Sequence, residues 1–268
     1  MTSVSDGAAV GYRAGRTLGL RTELRRQLKR RRTTATFGFL VALPLILIGA
    51  FALGSEEISE GNAQVNLVDV ATSGGLNFVL FVLFATTGFF LVVVYALFFG
   101  DTVASEAGWG SLRYLLAAPV PRARLLRQKF LVATFLSVTA VVTLVVVSLV
   151  AGTIAYGWNP VRTPVGLGLD ETTALIRLLA IVAYLASTLI AVGSLAFLLS
   201  VATDAPLAAV GGAVFTIIVA SILDTIDALG SIRDFLPTQN QYAWVGMLAE
   251  PADSADMFTG CLQALAYT

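Results

Sequence analysis

The stretch FLVATFLSVTAVVTLVVVSLVAGTIAYGW, residues 130–158, contains no charged side chain. A helix needs roughly 20 apolar residues to cross the hydrocarbon core of a bilayer, so this stretch is long enough to span a membrane. Four further apolar runs occupy residues 37–54, 78–100, 178–201 and 207–223. We therefore expect five membrane-spanning helices, and we expect Pro44 to kink the first of them.

The charged residues agree with a membrane protein and indicate its orientation. The chain has 268 residues and is 57% hydrophobic and 13% charged, whereas soluble domains are about 25% charged. Lys and Arg near span ends stay in the cytoplasm. Of the 17 basic residues, all but Arg162, Arg177 and Arg233 form two blocks separated by two apolar runs: Arg13, Arg16, Arg21, Arg25, Arg26, Lys29, Arg30, Arg31 and Arg32, then Arg113, Arg122, Arg124, Arg127 and Lys129.

This charge distribution predicts the topology of a multi-pass protein of the cell membrane. We expect residues 1–36 and 101–129 to be cytoplasmic, because they hold the basic blocks. We expect residues 202–206 on the same side, because the chain crosses the membrane once per span. Residues 55–76, 159–174 and 224–256 are richer in acids than in bases, and we expect them outside. The last of these also contains short apolar stretches, which predict folded structure at the outer surface.

The N-terminal basic block has the pattern of an interfacial helix. Leu20, Leu24 and Leu28 recur every four residues among basic side chains that include Arg21 and Arg25. This spacing places the leucines on one helical face, which predicts a helix lying in the membrane interface against the lipid bilayer. A solvated anchor that only sets the topology is the alternative. We expect no nucleic-acid partner, because the chain is anchored in a membrane.

A sixth apolar run begins near the C-terminus. Residues 257–268 are mostly apolar, but a helix of this length is too short to cross a bilayer. We expect this stretch to be the start of a sixth span within a longer protein. An interfacial segment is the alternative.

Several kinds of chemistry are excluded by residue types that the chain lacks. It has no histidine and one cysteine, Cys261, so it can form no internal disulfide, histidine metal site or Ser-His-Asp triad. Lys29 and Lys129 are its two lysines, and neither follows the glycine pattern of a phosphate-binding loop. We therefore expect no enzyme activity and no cofactor in this chain. An intramembrane enzyme would need paired carboxylates or a serine–lysine pair within the spans, and the predicted spans contain neither.

The stretch between the second and third runs is too long for a turn and too polar to span. Eight residues in this stretch, the last of them immediately before the third run, resemble, in their order and spacing, the inner loop of ABC-2 type transporter permease subunits. The resemblance in overall plan covers nearly all of residues 12–268. The matching residues are Glu106, Gly110, Ser111, Leu115, Leu116, Pro119, Arg122 and Lys129.

The resemblance implies an all-α fold with six spans, an N-terminal interfacial helix and a cytoplasmic coupling helix. It also implies a separate ATPase subunit, which would hold ATP and Mg²⁺, and a second permease copy or paralogue. Glu106 has no basic neighbour before Arg113, so we expect its partner to lie on the ATPase subunit. A solvated acid at the end of the second span is the alternative, and a solvated end-cap is also the interpretation of Asp101.

Small residues in the fifth run predict a closely packed helix. Ala205, Ala209 and Ala213 recur every four residues, as do Ala208 and Gly212. Small residues at this spacing let helices approach closely. The resemblance implies that spans one, two and five face the partner permease or the transport pathway. Ordinary packing within one subunit is the alternative.

The resulting expectation is the membrane subunit of an ATP-driven transporter, with a lipophilic or amphipathic cargo such as a drug, antibiotic, lipid or peptide. Export rests on analogy with the family. The alternative is an anchoring or assembly protein without a transport role, which would not need a structured loop at 101–129.

Overall fold

The computed structural model of the protein describes residues 19–54, 67–110, 122–162, 168–249 and 251–268. Most of these residues are helical. Nine α-helices follow one another in the described residues: α1 (Leu20–Leu28), α2 (Arg31–Gly54), α3 (Leu67–Thr72), α4 (Gly75–Thr87), α5 (Phe90–Gly108), α6 (Arg122–Tyr156), α7 (Glu171–Ala202), α8 (Pro206–Asp224) and α9 (Ala255–Ala266).

Two kinds of short element complete the described fold. A two-stranded antiparallel ribbon pairs β1 (Val161–Arg162) with β2 (Gly168–Leu169) between α6 and α7. Two 3-10 helices, Asp227–Phe235 and Ala243–Leu248, lie between α8 and α9. The ribbon departs from the predicted all-α fold.

Five of the helices are long and apolar enough to cross a membrane: α2, α5, α6, α7 and α8. The expectation of a mostly helical protein with five helices able to span a membrane is confirmed. Four of these helices begin before the apolar runs that predicted them. For example, α6 begins at Arg122 and not at Phe130. Residues 122–129 are rich in good helix formers such as Arg, Leu and Gln, and adding such residues to an existing helix costs little free energy.

The predicted second span is wrong as one continuous helix. It is divided between α4 and α5, and the break lies at Gly88 and Phe89. The side-chain amide of Gln241 donates a 2.8 Å hydrogen bond to the Thr87 carbonyl at the end of α4. A Cβ atom at Gly88 would lie 2.5 Å from the Tyr242 hydroxyl oxygen. Residues far along the chain therefore stabilise this break.

Helix α5 lies at the centre of the bundle and packs against α6, α7 and α8. Its rings provide much of the core: Tyr95 stacks on Phe99, and Phe99 meets Phe130 edge to face. Phe130 in turn meets Phe197 of α7. Helix α2 is the least buried of the five long helices and packs mainly on α6.

Of the small residues predicted to pack closely in α8, Ala209 and Ala213 pack inside this chain, whereas Ala205 and Ala208 are exposed. Ala209 and Ala213 are fully buried on a helix that contacts α5 and α7. A Cβ atom at Gly212 would lie 3.1 Å from Leu199 of α7, and Ala205 is exposed at the start of the helix. The described contacts are thus those of packing within one subunit.

The 224–256 segment, for which we expected folded structure, is tied to α7 and α9 by polar side chains. The Tyr184 hydroxyl donates to the Asn240 carbonyl, and the Asn240 amide donates to Gln263 of α9 at 3.0 Å. The Gln263 amide donates to the Leu236 carbonyl at 2.7 Å. Helix α9, where we expected the start of a sixth span, has 12 residues and packs against α7.

Candidate functional site

Charged side chains from four helices and one turn meet at one end of the bundle. They come from α1, from the α1–α2 turn and the first turns of α2, from the last two turns of α5 and from the beginning of α6. We call this group the ion cluster, and it consists of Glu23, Arg26, Arg30, Arg32, Asp101, Glu106 and Lys129.

Lys129 is one of the two most buried members of the ion cluster, with 1% of its surface exposed. Its ammonium donates to Glu106 Oε1 at 2.6 Å and to the Thr102 carbonyl at 3.0 Å. The third contact is with Glu23 Oε1 at 3.5 Å. An ammonium group has three donors, and each of them has an acceptor here.

Glu106 is equally buried and has basic partners in its own chain. Besides Lys129, its carboxylate contacts the Arg26 guanidinium, and Arg30 Nη2 lies 3.9 Å from Oε1. The expectation that Glu106 lacks a basic partner in this chain is therefore wrong, and so is the alternative of a solvated acid at a span end. Lys129 comes from α6, whereas Arg26 and Arg30 come from α1 and the turn after it, so spacing near Glu106 could not indicate these two arginines.

Asp101 forms the second half of the ion cluster. Its carboxylate accepts hydrogen bonds from Arg30 at 2.6 Å and from Arg32 at 2.5 Å. Arg30 also donates to Ser105 Oγ at 3.0 Å, and its guanidinium lies 5.5 Å from the ring centroid of Trp109. Asp101 is thus also ion-paired, in place of the solvated end-cap that we considered.

Helical spacing explains how the sequence gathers these groups. Residues four apart lie on the same helix face, so α5 presents Asp101 with Ser105 and Thr102 with Glu106. Helix α1 does the same with Glu23 and Gln27, whose side chains share a 3.0 Å hydrogen bond and are buried. The two buried side chains of α1 are therefore polar, and Leu24 packs beside them against the apolar core.

Burial of these charges is stable only because each acid is paired. Moving an ion out of water costs several kcal/mol, which close partners and hydrogen bonds must offset. For Glu23, burial alone would raise the pKa. The charges of Lys129 and Arg26, with hydrogen bonds from Arg26 and Gln27, outweigh burial and hold the pKa of Glu23 below its ordinary value of 4.5.

This shift predicts an acid-sensitive contribution to stability. Because the folded-state pKa of Glu23 is depressed, its contribution is complete above the unfolded-state pKa and is lost as pH falls through the folded-state pKa. We expect the thermal midpoint of the detergent-purified protein to fall less steeply below pH 4.5 in Glu23→Gln than in wild type. Asp204→Asn, which changes an exposed acid, should keep the wild-type slope. Parallel curves for wild type and Glu23→Gln would contradict the assignment.

The Glu106–Lys129 pair also has a mechanical consequence. Glu106 lies near the end of α5 and Lys129 near the beginning of α6, so the pair joins the two helices that flank residues 109–121. A force applied between these helices would be passed to α5 and α6 together, and through Arg26 to α1.

Two other residues of the predicted coupling site, Gly110 and Arg122, lie at the ends of α5 and α6. Gly110 follows α5 with a φ of 67°, a left-handed conformation that favours glycine. Arg122 begins α6 and is exposed. Four residues of the prediction lie outside the described residues: Ser111, Leu115, Leu116 and Pro119.

Sequence reasoning missed the partners of Glu106 and Asp101. Arg26 and Arg30 were read only as part of a basic block that sets the topology, and Glu23 was not singled out. One signal was present, because Glu23 is the single acid between residues 12 and 32. A lone carboxylate in such a run indicates a specific contact.

The ion cluster has no feature of a metal centre. In the described ranges, no group of three or more His, Cys, Asp or Glu side chains is placed to hold a metal ion. Its acids are instead matched by guanidinium and ammonium groups. What the arrangement can do is hold four helices in a fixed relation at one end of the bundle.

Comparison with known proteins places the chain in a family. No curated protein matches it. A family model described as "Protein of unknown function (DUF2705)" matches residues 40–257, which include α5, α6 and two acids of the ion cluster. Because this match covers most of the chain, the protein belongs to the DUF2705 family.

Proposed function

We propose that this chain is the membrane-spanning permease subunit of an ATP-driven transporter of the ABC-2 type. The observation that carries the proposal is the Glu106–Lys129 ion pair, with 2.6 Å between Nζ and Oε1. It joins the two helices at either end of the segment whose residues resemble an ABC-2 coupling loop. Five long apolar helices supply the membrane domain that such a subunit requires.

The proposed orientation places the ion cluster at the cytoplasmic end. The described residues of the two basic blocks, from Arg21 to Arg32 and from Arg122 to Lys129, lie at or beside this end. Basic residues near span ends stay in the cytoplasm. A subunit that hydrolyses ATP in the cytosol would therefore meet the protein on the side of residues 109–121. ATP and Mg²⁺ belong to that partner, since this chain has no phosphate-binding loop.

Coupling in this proposal is a movement of rigid elements. Docking on residues 109–121 would displace the ends of α5 and α6, which the buried pair holds together. Because α5 packs against α7 and α8, its displacement would reach most of the bundle. Glu106 then acts as a positioning residue inside the permease. The residues between α5 and α6 make the contact with the ATPase subunit.

The proposed cargo is a lipophilic or amphipathic compound, exported from the cell. Its support is the character of the exposed helix faces, which carry large apolar side chains such as Phe135, Phe215 and Ile222. A second permease copy or paralogue would complete the pathway between such faces. The proposed localisation is the cell membrane.

Affinity purification in mild detergent tests the proposal. The tagged full chain should retain an ATP-hydrolysing protein that azido-ATP labels, whereas the isolated chain should neither label nor hydrolyse ATP. In the double variant Leu115→Ala/Leu116→Ala, we expect at least a tenfold loss of the retained ATPase, since each leucine buried at an interface contributes about 1.5–3 kcal/mol. The matched control is Leu262→Ala, an exposed leucine on α9. A wild-type chain that retains no ATPase would overturn the proposal.

A further inference from the structure

Helix α1 carries three parallel stripes of side chains, each with a spacing of four residues. The buried stripe is Glu23 and Gln27, which faces the ion cluster. The leucine stripe is Leu20, Leu24 and Leu28, of which Leu24 is half-buried against the core. The third, which we call the basic stripe, consists of Arg21 and Arg25 on α1 and Lys29, which caps its C-terminus.

The basic stripe differs from Arg26, Arg30 and Arg32 in having no ion-pair partner among the described residues. Arg26 and Arg30 are used by the acids of the ion cluster. All three side chains of the basic stripe are exposed, and within the described ranges no acid lies within ion-pair distance of them. Three cations in a row, held on a fixed helix and facing outward, attract an anionic surface.

The leucine stripe indicates what kind of surface this is. Leu20 and Leu28 are 47% and 48% exposed, and they lie directly beside the basic stripe because i and i+1 series occupy adjacent faces of a helix. Exposed apolar and basic stripes side by side are typical of a helix lying in a lipid interface. The apolar part of α2 begins at Phe37, a few residues after Lys29, so α1 is tethered next to the membrane.

We propose that the basic stripe binds the headgroups of anionic phospholipids, while Leu20 and Leu28 enter the adjacent acyl region. An acidic soluble protein would satisfy the charges but would leave these leucines without an apolar environment. Since the opposite face of α1 is fixed to α5 and α6 by the ion cluster, lipid bound to the basic stripe would set the position of the whole charged end. The inference does not depend on an ATPase subunit.

Lipid nanodiscs containing the purified full chain provide the test. Cys261 is the single cysteine, so Cys261→Ser with Leu28→Cys allows one environment-sensitive fluorophore to be placed on the leucine stripe. Its emission should shift to shorter wavelength when phosphatidylglycerol is added to phosphatidylcholine, and salt should weaken the shift. Each basic residue near an anionic surface raises the binding constant for that surface roughly fivefold.

Two variants separate charge from other effects. The triple variant Arg21→Gln/Arg25→Gln/Lys29→Gln should abolish the shift caused by phosphatidylglycerol, whereas Arg21→Lys/Arg25→Lys should retain it. Arg162→Gln, an exposed basic residue on β1, should behave like wild type. An emission that is the same in both lipids, or a shift that survives the triple variant, would overturn the proposal. The first of these outcomes would assign the basic stripe to an acidic soluble partner instead.

Discussion

Lys129→Met is expected to destabilise the protein by about 3–5 kcal/mol, which is the usual effect of removing one partner from a buried ion pair. The substitution keeps most of the side-chain volume but removes the donor to Glu106, Glu23 and the Thr102 carbonyl. Two buried carboxylates would then share Arg26 and Arg30. Thermal unfolding of the purified protein in detergent measures the loss.

A double-mutant cycle shows whether the loss belongs to the Glu106–Lys129 pair. We expect Lys129→Met and Glu106→Gln to be less than additive, because the double variant leaves fewer uncompensated charges. Arg127→Met, an exposed basic residue on the same helix, is the matched control and should change stability little. Additive effects of the two substitutions would show that the pair is not energetically coupled.

Gly75→Ala is expected to give the second large effect, a loss of about 1–3 kcal/mol from overpacking. The added Cβ atom would lie 2.5 Å from Thr153 Oγ1, 2.8 Å from its backbone nitrogen and 2.9 Å from its Cα. Backbone atoms cannot move aside as a flexible side chain can, so α4 and α6 would have to separate. The 2.9 Å hydrogen bond from the Gly75 amide to the Gly157 carbonyl would be strained as well.

The control for this prediction is Gly49→Ala on α2, where an added Cβ atom meets nothing within 4 Å. It should cause no loss, and the higher helix propensity of alanine favours a small gain. Adding Thr153→Ala to Gly75→Ala should restore stability only in part, because the Thr153 backbone stays in place. Full recovery in this double variant would show that the hydroxyl alone made the contact.

The long helices could be predicted because their signal is local. Length and the absence of charge within residues 130–158 are enough to predict a helix that could span a membrane. The break at Gly88 could not be predicted in this way, since apolar residues continue on both sides of it. Its stabilising contact comes from Gln241, which is 154 positions away along the chain.

The ion cluster shows the same limit of sequence reasoning. The residues adjacent in sequence to Glu106 and Asp101 include no base. We therefore expected a partner outside the chain for Glu106, or solvated end-caps for both acids. The true partners Arg26 and Arg30 precede them by 80 and 71 positions. Charge pairs between distant segments depend on how helices pack, which periodicity does not specify.

The order in which the ion cluster can assemble during synthesis follows from its place in the chain. Glu23 leaves the ribosome 106 residues before Lys129, which at about 5–20 residues per second is a delay of roughly 5–20 s. During this interval α2 and α5 can enter the bilayer, but Glu23 and Glu106 lack the ammonium group that compensates them when buried. Closure of this end of the bundle must therefore wait for α6. Until α6 is in place, this end of the bundle stays open and hydrated, and its charged groups remain accessible to other molecules in the cell.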